Sequence, residues 1–377
     1  MSGIGVDQAG NRADSASDPD ILRLENLDTD VPPHPSVIAA TAAAIADDRN
    51  NSYLPFTGQQ HLRQAVAAHV SRLSGVPYDP GRNVLISAGG LSGILNVLLA
   101  IIEPGDEVIL TDPIYIGLLN RVRLAGGVPK LVPLLKSGRE WALDRDALQQ
   151  AVSEKTRAFL LMSPSMPSGA YLTRADWEAI AAVVRDRGLW LIYDAAMERI
   201  LFDGRPVIHP ASLPGIADRV ITVGSASKEL RMIGWRVGWI VAPERLVPDL
   251  ALVTISNVVV PVGIAQQAAA VALELGDADV RDATAIWEAR RDCLLAELEG
   301  LPVMRPAGGW SLLIDAEKLG TTAGALSERL FEKAKIAATP LSGWGSADAA
   351  RYLRLVFANE PMERLRGIGR RFRLTLA

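Results

Sequence analysis

The chain has 377 residues, 49% of them hydrophobic, a net charge of −4 and a single cysteine, Cys293. That length exceeds one ordinary domain and suffices to bury about three quarters of the unfolded surface. Acids and bases are mixed along the chain, so no basic face for nucleic acid is expected, and one thiol excludes an internal disulfide.

The first twenty residues are polar, small and acidic, without an apolar signal-peptide core. They predict a disordered lead-in over 1–20 and a cytoplasmic protein. The longest apolar stretch, Ile94 to Ile102, is far too short to cross a bilayer, so no membrane partner is expected. An extended Leu22–Pro35 segment follows, rich in Pro and Asp. Its acidic trio, Glu25, Asp28 and Asp30, either faces a polar or cationic substrate or sits in solvent.

From about 83 to 242, apolar runs alternate with amphipathic helical patterns. Seven strands are expected, at Val84–Ile86, Glu107–Leu110, Pro129–Val132, Ala158–Met162, Leu189–Tyr193, Arg219–Val223 and Val237–Val241. Buried runs separated by helices predict an α/β fold whose mostly parallel seven-stranded sheet is sandwiched by helices. Such sheets bind ligands beyond the carboxyl ends of their strands. The expected organisation is a large domain over 41–279 and a smaller α/β domain built from 21–40 and 280–377.

The polar motifs fall just after apolar runs. Ser87-Ala88-Gly89-Gly90-Leu91-Ser92 follows one strand and opens a helix, where glycines and free N–H groups suit a phosphate. Asp194 ends the run Leu189–Tyr193, either as a helix cap or as a buried carboxylate partner for a ring nitrogen. Most telling is Ser225-Ala226-Ser227-Lys228, with Arg236 eight residues on inside Gly234-Trp235-Arg236-Val237-Gly238-Trp239. An amine next to hydroxyls and a second cation is what a Schiff base with a phosphorylated aldehyde, pyridoxal 5'-phosphate (PLP), requires. The four histidines, His34, His61, His69 and His209, fall in no catalytic frame, and only His34 stands where it approaches the pocket. No metal is expected.

The lysine segment resembles that of the class I/II aminotransferases, the fold-type I PLP-dependent enzymes related to aspartate aminotransferase. The resemblance runs from about Leu22 to the C-terminus. It implies that Lys228 carries the cofactor, that Asp194 pairs with its pyridine nitrogen, and that Gly89, Gly90, Leu91, Ser225, Ser227 and Arg236 hold its phosphate. It further implies that Tyr115, in Asp112-Pro113-Ile114-Tyr115, stacks on the ring. Arg354, in Tyr352–Phe357, would clamp a substrate carboxylate, and Trp310 would follow the Pro306-Ala307-Gly308-Gly309 turn beside it. Arg351 is the competing, more solvated arginine. Tyr53, in a segment ending at Leu62-Arg63, is similar to the family tyrosine that reaches the neighbouring subunit's phosphate, which implies a homodimer with shared sites.

Three departures stand out. Met166 occupies the place of an asparagine, and Met197 that of a tyrosine, which in the family donate to the cofactor's phenolic oxygen. A thioether cannot donate. Leu27 stands where the family has a pocket glycine. An aminotransferase acting on an amino acid, a small-molecule substrate, is the expected activity. A PLP-dependent lyase, decarboxylase or oxidative deaminase is the alternative that the two methionines suggest. A PLP-binding regulator is disfavoured, since about twenty polar residues before the fold are too few for a DNA-binding domain.

Overall fold

A computed structural model describes residues 5–376. In chain order the first half comprises α1 (Gly5–Ala16), β1 (Leu22–Arg23), α2 (Pro35–Ala46), α3 (Gln60–Ser74), β2 (Val84–Ser87), α4 (Gly90–Ile101), β3 (Glu107–Asp112), α5 (Ile116–Leu124), β4 (Val128–Ser137), β5 (Glu140–Leu143), α6 (Arg145–Ala151), β6 (Thr156–Met162), α7 (Arg174–Arg187) and β7 (Trp190–Asp194). The second half adds β8 (Val220–Ser225), β9 (Gly238–Val241), α8 (Val247–Asn257), α9 (Gly263–Glu274), α10 (Ala278–Glu297), β10 (Val303–Met304), β11 (Ser311–Asp315), α11 (Ala323–Ala334), β12 (Ile336–Ala337), β13 (Thr339–Pro340), β14 (Tyr352–Val356), α12 (Met362–Leu365) and α13 (Ile368–Arg373).

The main sheet has the order β2-β9-β8-β7-β6-β3-β4-β5. Its centre, from β4 through β3, β6 and β7 to β8, is parallel, while β9 and β5 run antiparallel to their neighbours. The sheet therefore has eight strands rather than seven. The extra strand, β5, forms a hairpin with β4 at the edge and buries Trp141 and Leu143, too short an alternation to stand out in the chain.

Alternation along the central strands feeds two cores. Val108, Leu110, Leu160 and Ile192 face α4 and α5, against Ile94, Leu98, Leu118 and Val122. Ile109, Phe159, Leu161 and Leu191 face the opposite way, against Trp177, Ile180 and Val184 of α7. A capping box between Thr173 and Asp176 starts α7, and left-handed Gly188, at φ 63°, ends it. At the β2 edge a third core joins α2, α3 and α9 through Val37, Leu62, Val66 and Ala269.

The C-terminal region builds a second, four-stranded sheet in the order β10-β11-β14-β13. The N-terminal strand β1 crosses back to pair in parallel with β12. Gly5–Ala16 is a helix, a correction to the expected disordered lead-in. Ala13 packs with Ile21, Ala337 and Phe331, and Arg12 lies 5.4 Å over the Phe331 ring. Among the described residues no helix is long and apolar enough to cross a membrane.

Candidate active site

The parallel strands β3, β6, β7 and β8 end at Asp112, Met162, Asp194 and Ser225, so their carboxyl ends share one edge of the sheet. A cavity of about 330 Å³ opens there, and Met162, Asp194 and Ser225 line it, along with Gly90, Leu91, Tyr115, Met166, Met197, Ser227, Lys228, Arg236 and Arg354. Twelve positions far apart in sequence thus converge on one space.

Lys228 follows β8 by three residues, and its Nζ donates to the Leu27 carbonyl at 2.7 Å. The amine lies 4.9 Å from the centre of the Trp310 ring. Burial brings its pKa down to about 8; Asp28 opposes the shift, while Arg354 and Arg236 add to it. Asp194 is buried, and its Oδ1 accepts from the Ala196 N–H at 3.1 Å. It is thus an Asx-type cap and a cavity carboxylate at once. Burial pushes its pKa up to about 6, against the Ala196 hydrogen bond and the charge of Arg121. A buried carboxylate with a single backbone donor suits a cationic ring nitrogen.

At the other end lies a cradle. Gly89, at φ 87°, precedes the first turn of α4. A Cβ on Gly89 would come within 2.6 Å of Nη2 of Arg236, and one on Gly238 within 2.5 Å of the Gly89 carbonyl carbon and 2.6 Å of the Gly90 nitrogen. Only glycine permits this approach of three segments. Arg236 donates to Ser227 Oγ at 3.3 Å and to the Ile233 carbonyl at 2.7 Å, and the Ser227 N–H donates to Ser225 Oγ at 3.2 Å. Two hydroxyls, one guanidinium and a helix N-terminus form an anion site of phosphate character.

Arg354 is held from the small sheet. Its Nη2 donates to the Glu25 carbonyl and, at 3.4 Å, to Thr339 Oγ1. Its Nη1 approaches Met166 Sδ at 3.9 Å, its guanidinium carbon lies 4.8 Å from the centre of the Trp344 ring, and its Nε has no partner among the described residues. Burial brings its pKa down to about 10. Arg351 instead meets Asp315, Asp348 and Glu317 in a partly solvated network. Trp310 is buried beneath Lys228 without lining the cavity. His34 caps α2 through Ser36 and stays outside it. Tyr53 is 83% exposed and does not reach the cavity of its own chain.

Two of the acidic trio are already committed, Glu25 to Arg23 at 2.7 Å and Asp30 to Arg290 at 2.6 Å. Asp28 accepts from the Thr29 N–H.

Sequence reasoning missed Asn26, Met162, Ala196 and Ile233, which also line the cavity. Each stands within five residues of an expected site residue or at a strand end, which is the signal that marks them. It also missed a buried brace. The Arg199 N–H and Nε donate to Glu229 at 2.6 and 2.7 Å, which ties the turn after Asp194 to the residue after Lys228. Beside it lies Glu198, whose carboxyl is held well above the usual range by burial and by Glu229. Burial likewise holds His69 well below its ordinary value, and its Nε2 lies 3.9 Å from Glu198.

Residues 20–372 match the family model for aminotransferase class I and II. The arginine–pyruvate transaminase of Pseudomonas aeruginosa is 33% identical over 347 residues, covering 91% of this chain and 86% of the relative. The structure of N-succinyldiaminopimelate aminotransferase from Mycobacterium tuberculosis superposes with a TM-score of 0.93 at 32% identity, covering all of this chain and 98% of that one. Aspartate aminotransferase from Thermus thermophilus with maleate gives a TM-score of 0.91 at 28% identity, covering 100% and 97%.

Proposed function

The chain belongs to the class I and II aminotransferases, which depend on PLP, and we propose that it transfers the α-amino group of an amino acid through a Schiff base at Lys228. The observation that carries this reading is one cavity with the Lys228 amine, the Asp194 carboxylate and the Arg236 cradle on its walls. PLP, when bound, supplies an electron sink for charge developing at the substrate Cα.

The chain's own residues do the rest. Arg236, Ser225, Ser227 and the amides of Gly90 and Leu91 hold the phosphate, and Tyr115 flanks the ring. Asp194, whose carboxyl is otherwise poorly compensated, keeps the ring nitrogen protonated. Arg354 takes the substrate carboxylate and fixes the orientation of the Cα–H bond. The Lys228 amine would hold the cofactor and, once free, would accept the proton of the substrate Cα and return it during transfer. With a pKa near 8 it is partly neutral at physiological pH and so able to accept that proton. The test is a product analysis with a panel of amino acids. Stoichiometric 2-oxo acid and transfer of the amine to a second 2-oxo acid are expected; CO₂, ammonia or peroxide as main product contradicts the reading.

One observation favours a second reading. Both methionines line the cavity, and Met166 places its sulfur beside Arg354 where a donor would steady a carboxylate. A lyase, decarboxylase or oxidative deaminase on the same site is the reading this supports, and the same product panel separates it. The relatives are named for arginine, N-succinyldiaminopimelate and aspartate, so their names converge on transamination and diverge on the side chain.

A homodimer with shared sites is part of the same proposal. Tyr53 and Phe56 are exposed, as are Ile38 and Ile45 on α2 and Val262 and Ile264 at the start of α9. The core that joins α2 to α9 lies beneath them. Such a run of exposed apolar residues on neighbouring elements suits a two-fold interface.

A further inference from the structure

We infer that Trp344 is a positioning residue of this site: from outside the cavity, one indole sets both the guanidinium of Arg354 and the ring of Tyr115. This rests on the aminotransferase reading and goes beyond it by naming the part that joins the substrate clamp to the cofactor support.

Arg354 and Tyr115 line the cavity, whereas Trp344 does not. The guanidinium carbon of Arg354 lies 4.8 Å from the centre of the indole. The Tyr115 ring meets the same indole with centroids 5.5 Å apart and planes at 63°. Trp344 is fully buried within one protomer, so a second copy that completes the site does not reach it.

Arg354 needs such a support. Only its Nη2 has oxygen partners, the Glu25 carbonyl and Thr339 Oγ1; Nη1 has the Met166 sulfur, and Nε has no partner among the described residues. One anchored nitrogen leaves the guanidinium free to swing about its anchor, and a ring against it fixes its plane. Tyr115 is confined from a second side, since a Cβ on Gly117 would fall inside contact distance of its ring.

The segment that carries Trp344 is itself docked across the two sheets. It connects β13 to β14, the strand of Arg354, and meets the end of β3 on the main sheet. There the Ile114 N–H donates to the Trp344 carbonyl at 2.9 Å, and the Ser346 N–H to Asp112 Oδ1 at 3.2 Å. A Cβ on Gly345 would collide with Asp112 Oδ1. The indole therefore registers a clamp on one sheet against a cofactor support on the other. Its Nε1 is buried with no partner among the described residues, so it supplies ring faces rather than a hydrogen bond. Phenylalanine would supply the same.

A matched pair of ligands tests this. 2-Aminoisobutyrate and tert-butylamine differ by a carboxylate against a methyl group, and neither has a hydrogen to lose from the carbon that bears the amine. Dissociation constants for the PLP-loaded enzyme are read from the cofactor absorbance. Wild type is expected to prefer the amino acid. Trp344→Leu should cut that preference about fivefold, the scale of one side chain's lost orientation, and Trp344→Phe should keep it. In an Arg354→Gln background Trp344→Leu should change the preference no further. The visible circular dichroism of bound PLP should differ between wild type and Trp344→Leu. Gly345→Ala, which displaces the segment and leaves the indole, carries the same expectation if Trp344→Leu does not fold. An unchanged preference, a loss as large in Trp344→Phe, or a loss that persists without Arg354 overturns the assignment, and unaltered dichroism overturns its Tyr115 half. A wild type that binds neither ligand fails the aminotransferase reading itself, and the assignment falls with it.

Discussion

At the scale of single residues, burial weighs on Lys228, Arg354 and Asp194 alike, and Asp194 is the group whose cost can be read within an accessible pH range. Its pKa rises from 3.8 to about 6 through burial, so without cofactor the folded state holds a proton that the unfolded state has released. Stability from this group is intact below pH 4 and falls as pH climbs to 6. The full penalty is about 3 kcal/mol above that. Asp194→Asn should therefore raise the thermal stability of the cofactor-free protein at pH 7.5, with the gain vanishing near pH 4, while PLP affinity drops. Equal melting temperatures for both proteins across pH 4–8 would contradict the account. Met197 offers the converse test. A phenolic donor restored by Met197→Tyr should lower the pKa of the Lys228–PLP linkage, since it stabilises the deprotonated form. A neutral hydrogen bond of about 1 kcal/mol limits the shift to about one unit. A spectrophotometric titration showing an unchanged or raised pKa would place Met197 away from the phenolic oxygen. These positions were legible in the chain because the motifs around Lys228, Asp194 and Arg236 resemble those of the family in type and order. Ile233 and Asn26 were marked only by standing close to expected site residues, since nothing in an isolated Ile or Asn tells which side of a loop it faces.

At the scale of elements, the brace between the β7 and β8 ends carries the largest expected effect. Glu229→Ala leaves Arg199 buried with only its contacts to Asp277 and Gly276. Breaking a buried pair costs about 3–5 kcal/mol, so the melting temperature should fall by several degrees. Arg72→Ala, which removes a partly exposed pair with Asp277, should cost about 1 kcal/mol or less. Urea titration of the two variants compares them directly, and equal losses would show that the Arg199–Glu229 contact is not a brace. Each of the seven expected strands overlaps an observed one, with those at Leu189, Arg219 and Val237 starting one residue early, because buried strands are continuous apolar runs that sequence displays directly. Helix α1 and strand β5 escaped for the opposite reason. Among its described side chains the helix is held by Ala13, Arg12 over Phe331 and Asp14 with Arg23, and β5 alternates over only four residues, so in both cases tertiary contact supplies what local pattern does not.

At the scale of the whole molecule, sequence motifs in order from Leu24 to Arg354 already implied the sheet, the cavity and the second sheet. They also placed 21–40 with 280–377, but not the particular contacts that join the two segments. Pairing of β1 with β12 and the hold of the Glu25 carbonyl on Arg354 join segments over three hundred residues apart, a link that no local pattern carries. The inferred dimer makes a prediction at this scale. Mixing Tyr53→Phe with Lys228→Ala protomers should recover activity above either parent, because one site of each mixed dimer receives Tyr53 and Lys228 from intact sources. Activity no higher than the better parent would show that Tyr53 does not act across the interface, and an active monomer in sedimentation would remove the dimer altogether. The central claim, that the cofactor is carried by the lysine beside Asp194 and the Arg236 cradle, is tested most directly by borohydride reduction of the PLP-loaded enzyme and peptide mapping. The account predicts a single phosphopyridoxyl label on Lys228, absent from a Lys228→Ala protein that still folds and retains PLP non-covalently; a label on any other lysine would contradict it.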